Sequence, residues 1–386
     1  MKFLHTADWH IGKELGAFSL LSEQWQAFRQ MVTIAEDEAV DGIIIAGDLY
    51  DRGIPPLSAV EAFEDMARIM NLEHHWPIYA VSGNHDGAVR LGAGREWRET
   101  TSFYLHTTLA EAFEPVELAD MQIFMLPFLD PLDARIYYQM SEEEGRDYTS
   151  IEAVLAKIIP DLVAKFNPGK RHILVTHYNV VGTGNVNYEL TSETNSQVGG
   201  LKGVPASLFA DFDYVALGHI HLRQASPTDT IRYAGSPVKF NTKEAQSEKG
   251  VYIVEIDDHV SLKWRRIHPI KDLIVVKGTF AEITAPAYFE QYARNGANWF
   301  SISLTDFPDV RNARGILTKI YGDVVEVNYI GQNEQLGDVV QSELVDGTLS
   351  DQEIISNFYE TVTEKPLSEE QVQLVETILN EVGRGE

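Results

Sequence analysis

Ser82-Gly83-Asn84-His85-Asp86 follows the apolar run Ile78-Tyr79-Ala80-Val81. The run reads as a buried strand. A strand ending in Gly-Asn-His-Asp carries an amide, an imidazole and a carboxylate onto a tight turn at its carboxyl end. In α/β sheets that edge is where ligands bind. Taken alone, the stretch reads more readily as an ordinary turn, because Gly, Asn and Asp all favour turns. Four other apolar strands in the chain end the same way, and that repetition decides for a site.

Working outward, residues 2–7 form a strand pattern that ends in Asp8-Trp9-His10. Residues 42–46 end in Gly47-Asp48-Leu49-Tyr50-Asp51, residues 171–176 in His177, and residues 214–217 in Gly218-His219-Ile220-His221. Two helix patterns separate the first three strands. Residues 22–39 place Trp25, Phe28, Val32 and Ala35 on one face, and Ser58 is suited to cap a second helix running to about Met70. Strands alternating with helices predict parallel pairing. In a parallel sheet the five carboxyl ends lie along one edge. Asp8 and His10 are two residues apart, as are His219 and His221, and in extended backbone such pairs point to the same side.

The chain has no cysteine, so any metal must use oxygen and imidazole donors. Asp8, His10, Asp48, Asn84, His177, His219 and His221 are the candidate ligands. Seven donors are too many for one tetrahedral ion. They suit two ions about 3.5–4 Å apart that share a bridge, for which a carboxylate is the natural choice. Mixed imidazole, carboxylate and amide donors suit manganese, iron or zinc, and with no sulfur manganese is the expected metal. His85 is left over, placed to protonate a leaving oxygen. His5, His74, His75, His106, His172, His259 and His268 read as structural histidines and Trp9 as a packing residue.

The net charge of −27 argues against a generally basic nucleic-acid surface. It is unevenly placed, since residues 342–386 hold eleven acidic against two basic residues. Metal-site carboxylates also count as negative until cations bind. At 386 residues the chain has room for two or three domains. It enters a strand pattern directly from Met1 and has no apolar run long enough to cross a bilayer. With the absence of cysteine, this leads to the expectation of a cytoplasmic protein.

Further on, residues 87–110 read as helical and then irregular, and 122–126 as a strand. A helix over 150–166 is expected to bend or break at Pro160. A long polar connection spans 182–203, and strands follow at 231–233, 251–256 and 261–266. Residues 270–331 read as a small α+β unit with strands at 273–278, 299–304 and 324–329 and helices at 288–294 and 310–321. A polar linker over 331–337 leads to two tail helices, 351–362 and 368–382. Ser368-Glu369-Glu370-Gln371 has capping-box spacing.

In order and wording, Asp-Trp-His, Gly-Asp-Leu-Tyr-Asp-Arg, Gly-Asn-His-Asp, His177 and Gly-His-Ile-His resemble the calcineurin-like metallophosphoesterase superfamily. Residues 7–12 and 212–219, Arg232-Tyr233-Ala234-Gly235-Ser236-Pro237 and the tail around Phe358-Tyr359 and residues 367–371 are similar to the bacterial SbcD nuclease-subunit family. That resemblance implies an α/β sandwich, two sheets flanked by helices, over residues 1–267. It implies a small α+β DNA-capping domain over 268–336 and an acidic helical tail over 337–386. It places Asp8, His10, Asp48 and His221 on one metal and Asp48, Asn84, His177 and His219 on the other, with Asp48 bridging and His85 catalytic. Asp51 stands where eukaryotic and archaeal relatives carry a second functional histidine. The resemblance further implies a homodimer through helices near 58–72 and 88–104 within a heterotetramer, and SbcC, an ATPase, as partner. The implied activity is double-strand exonuclease, single-strand endonuclease and hairpin opening on DNA, in repair, recombination and replication. Two other readings compete: a phosphatase or nucleotidase acting on small phosphate esters, and a catalytically inactive DNA-end scaffold. A scaffold's signature is loss of a ligand or of His85, and none is missing.

Overall fold

Apolar runs of up to eight residues, rich in Ile, Val, Leu and aromatic residues, form the strands of two stacked sheets. In this computed structural model, residues 1–185, 203–330, 350–363 and 366–382 are described. The first unit, Met1–Leu273, contains β1 (Lys2–Thr6), β2 (Gly42–Ala46), β3 (Ile78–Val81), β4 (Phe103–His106), β5 (Val116–Glu117), β6 (Met121–Leu126), β7 (Arg171–Thr176), β8 (Tyr214–Leu217), β9 (Ile231–Tyr233), β10 (Lys249–Ile256) and β11 (Val260–Ile267). One sheet has the order β11-β10-β1-β2-β3-β4 and the other β9-β8-β7-β6-β5. Strands β1 to β4 pair in parallel, with β10 and β11 antiparallel at one edge. Strands β6 to β9 are also parallel, while β5 runs antiparallel to β6. The five site-bearing strands are therefore divided three and two between sheets, and do not share the single sheet edge expected from their alternation with helices. Local pattern fixes the direction of pairing but not which sheet a strand joins.

The two sheets close on a shared core. Phe3, Ile44, Ala46, Tyr79 and Val81 of the first pack against Ile123, Met125, Ile173, Val175, Tyr214 and Ala216 of the second. Burying an Ile or Phe side chain contributes about 1.5–3 kcal/mol. The other face of the second sheet meets α-helical residues Val154, Leu155, Ile158, Ile159 and Leu162. Strands covered on both faces read as continuous apolar runs, as Gly42–Ala46 does.

Helix α1 (Leu21–Asp37) follows the first strand and α2 (Leu57–Arg68) the second. Ser58 lies inside α2 and does not cap it. Pro56 occupies the cap position in extended backbone, so the fixed proline φ starts the helix. Residues 87–110 hold α3 (Ala88–Gly92), α4 (Arg95–Glu99) and then strand β4, where the sequence pattern suggests only irregular chain. Helix α5 (Pro131–Tyr137) is followed by α6 (Ile151–Val163). The latter continues through Pro160, because Ala156 and Pro160 both lie on its exposed side, where solvent takes the carbonyl that loses its partner. The polar connection over 182–203 lies largely outside the described residues.

The second unit, Ile274–Glu386, holds most of a three-stranded sheet of β12 (Asp272–Gly278), β13 (Asn298–Leu304) and β14 (Val324–Tyr329), with β13 and β14 parallel. Val276, Phe300, Ile302, Leu304, Leu317 and Tyr321 form its core. The helix expected over 288–294 is absent. A one-turn helix, Pro286–Phe289, ends there, and the turn after it lets Tyr292 pack edge-on against Phe300 at 6.0 Å. The helix expected from 310 begins at Ala313, since Asn312 sits in the left-handed region and caps it through Gly315 N–H. The tail helices Asp351–Thr363 and Glu369–Val382 form as expected. Ser368 and Gln371 exchange the two bonds of the capping box, at 2.8 and 3.3 Å. The linker over 331–337 lies outside the described residues.

Candidate metal centre

The loops that leave β1 and β2 run side by side. Asp8 N–H donates to Gly47 O, His10 N–H to Asp48 O and Ile11 N–H to Leu49 O, each at 3.0 Å. Gln24, buried on α1, clamps the first loop by donating to the carbonyls of Trp9 (3.1 Å) and His10 (2.6 Å). Trp9 packs edge-on between Phe28 and Phe63, as its packing role requires. Asp86 staples the third loop to the second. Its carboxylate accepts from Leu49 N–H at 3.0 Å, Tyr50 N–H at 2.9 Å and Gly83 N–H at 2.9 Å. Gly83 must be glycine, because a Cβ there collides with the backbone and carboxylate of Asp48.

The side chains do not converge by the expected route. Asp8 (φ 53°), His10 (φ 43°), Asp48 (φ 52°) and His219 (φ 90°) all have left-handed backbone, so the two-apart pairs are not extended. Aspartate tolerates this conformation through local hydrogen bonding, whereas histidine there is strained by about 1–3 kcal/mol. Strained backbone of this kind clusters at functional sites.

Asp8, His10, Asp48, His177 and His221 are all buried. Ligand atoms of Asp8, His10 and His221 lie within 4.8 Å of one another, and so do those of Asp8, Asp48 and His177. His10 Nε2 is 3.1 Å from His221 Nε2 and 3.4 Å from Asp48 Oδ2. His177 Nε2 is 3.2 Å from the same Asp48 oxygen and 3.1 Å from Asn84 Oδ1, which in turn is 2.9 Å from His219 Nδ1. Donors bound to one cation at about 2.0–2.1 Å lie about 3.0–3.4 Å apart. The set fits that spacing on both sides of Asp48 Oδ2. Asp48 Oδ1 is engaged separately, accepting from His85 N–H at 2.9 Å. Asp8 Oδ1 accepts from His219 N–H at 2.9 Å, while the buried Asp8 Oδ2 has no hydrogen-bond partner among the described residues. An uncompensated buried carboxylate oxygen is costly, and a cation removes that cost. The donors therefore suit two divalent cations.

Burial pushes the Asp8 carboxyl up. Burial acts on Asp48 in the same sense, but the imidazoles of His177 and His10 outweigh it and hold this carboxyl well below the usual range. His177 is raised to about 9 by Asp48 despite its own burial. Burial lowers His10, and lowers His219 to about 3, leaving both rings neutral with a lone pair to give. Asp86 is raised to about 7 by burial and the Asp48 charge, against its three N–H donors.

His85 is half-buried beside the cluster, its ring edge-on to His10 at 4.7 Å, with Nδ1 2.9 Å from Asp51 O. The Asp51 carboxylate pairs with Lys13 at 2.8 Å and lies 3.8 Å from His10 Nδ1. All seven expected donors and His85 thus meet in one place, with His219 joining through Asn84. The histidines read as structural stay out of these clusters.

Sequence reading missed the segment around residues 235–249. Phe240 packs edge-on against His10 (5.2 Å) and His221 (5.4 Å). The buried Glu244 accepts from His221 Nδ1 at 3.0 Å and pairs with the buried Lys249. Only Arg232-Tyr233-Ala234-Gly235-Ser236-Pro237 pointed towards this segment.

Residues 1–223 match the calcineurin-like phosphoesterase family. The chain is 30% identical to the SbcD subunit of the SbcCD nuclease of Staphylococcus epidermidis over 383 residues, covering 98% of each chain. It is 28% identical to the SbcD subunit of the corresponding nuclease of Staphylococcus saprophyticus, again over 98% of each. Among solved structures, a dimetal phosphatase from Danio rerio overlaps 70% of this chain and 97% of its own at a TM-score of 0.44 and 13% identity. Since the family match spans the strand ends from Asp8 to His221 and the curated match runs nearly the full length, the chain belongs to the calcineurin-like phosphoesterase family and, within it, to the SbcD nuclease subunits.

Proposed function

We propose that this chain is the nuclease subunit of an SbcCD complex and hydrolyses DNA phosphodiesters with two manganese ions. The observation that carries the reading is Asp48 Oδ2, 3.4 Å from His10 Nε2 on one side and 3.2 Å from His177 Nε2 on the other. Asp8, His10, Asp48 and His221 would hold one ion, and Asp48, Asn84, His177 and His219 the other. When bound, such a pair supplies Lewis acidity and a more acidic attacking water. The protein holds the donors rigid, and His85 gives a proton to the leaving oxygen. The Asp51 carbonyl on Nδ1 orients that ring. Oxygen and imidazole donors without sulfur favour manganese.

Residues 1–267 are the nuclease domain, 268–336 a capping domain that orients DNA, and 337–386 the tail that docks on SbcC. Ile355, Phe358, Leu374 and Ile378, all at least one-third exposed, support the docking role of the tail. The exposed apolar side chains of Ile54, Leu57, Val89 and Trp97, in and beside α2, α3 and α4, support a homodimer within a heterotetramer. Activity comprises ATP-dependent double-strand exonuclease with SbcC, single-strand endonuclease and hairpin opening in DNA repair, recombination and replication, in the cytoplasm. Among the described residues, no helix is long and apolar enough to cross a membrane.

The test assays purified protein on hairpin DNA and on a phenyl phosphodiester, with and without SbcC. Cleavage should vanish in chelator and return with manganese better than with magnesium. Full activity in chelator, or hydrolysis confined to small monoesters, overturns the reading.

A further inference from the structure

Glu244 has no exposed surface and pairs with the buried Lys249. One carboxylate oxygen accepts from His221 Nδ1 at 3.0 Å and from Asn241 Nδ2 at 2.6 Å. The other accepts from Lys249 Nζ. Lys249 Nζ also donates to the carbonyl of His221 at 3.0 Å and to Ser236 Oγ at 2.8 Å. Ser236 N–H donates to that same His221 carbonyl at 3.2 Å. His221 is therefore held at both ends, its ring by Glu244 and its backbone by Lys249 and Ser236.

A buried ion pair is a poor device for stability alone, since apolar residues of the same volume often serve as well. Here the pair serves geometry. A carboxylate on Nδ1 keeps the proton there and leaves Nε2 as the donor atom, and that atom is the one 3.1 Å from His10 Nε2. Lys249 cancels the charge of Glu244, so the carboxylate orients His221 without adding net charge. The other cluster is built differently, because His177 Nδ1 donates to a neutral backbone carbonyl, Ala46 O, at 2.7 Å. A carboxylate behind an imidazole strengthens it as a ligand more than a carbonyl does.

We propose that Glu244 and Lys249 are a positioning pair for His221 that sets affinity at one of the two cation sites, the one shared by Asp8, His10 and His221, and leaves the other nearly untouched. This rests on the two-cation reading. The test titrates Mn²⁺ into the full apo chain by calorimetry, with electron paramagnetic resonance to detect the coupled pair and melting curves as a fold control. Wild type should bind two ions, and failure there sinks the two-cation reading itself. Glu244→Leu with Lys249→Met removes both charges and the acceptor. It should weaken one site by about 10–100-fold and leave the other within about threefold, with loss of the coupled signal. Glu244→Gln with Lys249→Met keeps an acceptor for Nδ1–H and should recover most of the affinity. If the leucine variant does not fold, the glutamine variant must still weaken one site alone by at least threefold. Two unchanged sites, or two sites weakened equally, overturn the proposal.

Discussion

His5 and Tyr214 join the two sheets beneath the metal centre, and the bond between them makes the fold sensitive to acid. His5 lies on β1 and Tyr214 on β8, with His5 Nδ1 2.9 Å from the phenol oxygen and the rings edge to face. Burial lowers the His5 pKa from 6.5 to about 3, and the Arg232 charge pushes the same way. The unfolded chain takes up a proton near pH 6.5 while the folded chain refuses it until about pH 3, so the unfolded state binds more protons across that window. Stability from this group is complete above pH 6.5 and is lost progressively as the pH falls towards 3. At pH 5, one and a half units below the unfolded pKa, the loss is about 2 kcal/mol. The perturbation is His5→Gln, which keeps a polar partner for Tyr214 and removes the titration. Urea unfolding in chelator at pH 8 and pH 5 should show the wild type losing about 2 kcal/mol more than the variant. Other groups titrate in both proteins and cancel in the comparison. Parallel losses in the two proteins refute the reasoning.

Three other outcomes are expected. His85→Ala should bind manganese and DNA as wild type does but cleave about 10²–10⁴-fold more slowly, whereas Asp48→Ala should lose manganese binding as well; calorimetry beside a cleavage assay separates the two. Asp86→Asn leaves one of the Leu49, Tyr50 and Gly83 N–H groups facing an amide donor, and should cost about 1–3 kcal/mol in urea unfolding. Deleting residues 338–386 should leave manganese-dependent cleavage of small diesters and single strands intact while abolishing co-purification with SbcC, and unchanged affinity for SbcC in the deleted protein removes the tail as docking element.

The site was legible because its donors sit directly after apolar strands. Val81 to Asn84, Thr176 to His177 and Leu217 to His219 are each a buried strand end followed within three residues by a donor side chain. The hydrophobic pattern that marks the strand also marks the edge where its ligands emerge. Glu244 and Lys249 escaped because nothing local distinguishes them. Glu244 lies in a single 3₁₀ turn and Lys249 begins a strand, positions where charged residues are ordinarily solvated. Their burial comes from tertiary packing over His221, which sequence period does not encode. The division into two sheets followed from the family resemblance and not from the local pattern, since β6 repeats the parallel pattern of β1 to β3 without pairing with any of them. Strand β4 was obscured by the two short helices before it, each a single turn too brief to show a helical period.

The left-handed turns explain why strand ends alone do not make this centre. Extended backbone points successive side chains to opposite faces of the sheet. At Asp8, His10, Asp48 and His219 the chain breaks that alternation with a left-handed residue. The break lets loops from two different sheets face one another across Asp48 Oδ2. It is unfavourable in isolation, as is burying Asp8, Asp48 and Glu244 together in one neighbourhood. The surrounding contacts hold it: the paired N–H bonds between the first two loops, Gln24 on the carbonyls of Trp9 and His10, Asp86 across three backbone N–H groups, and Lys249 on Glu244. Each of these lies one layer behind a candidate ligand rather than on a cation. The donors are common residue types after strands. What sets this chain apart from an ordinary α/β sandwich is the layer that keeps them strained and converging, which is the preorganisation that electrostatic catalysis needs.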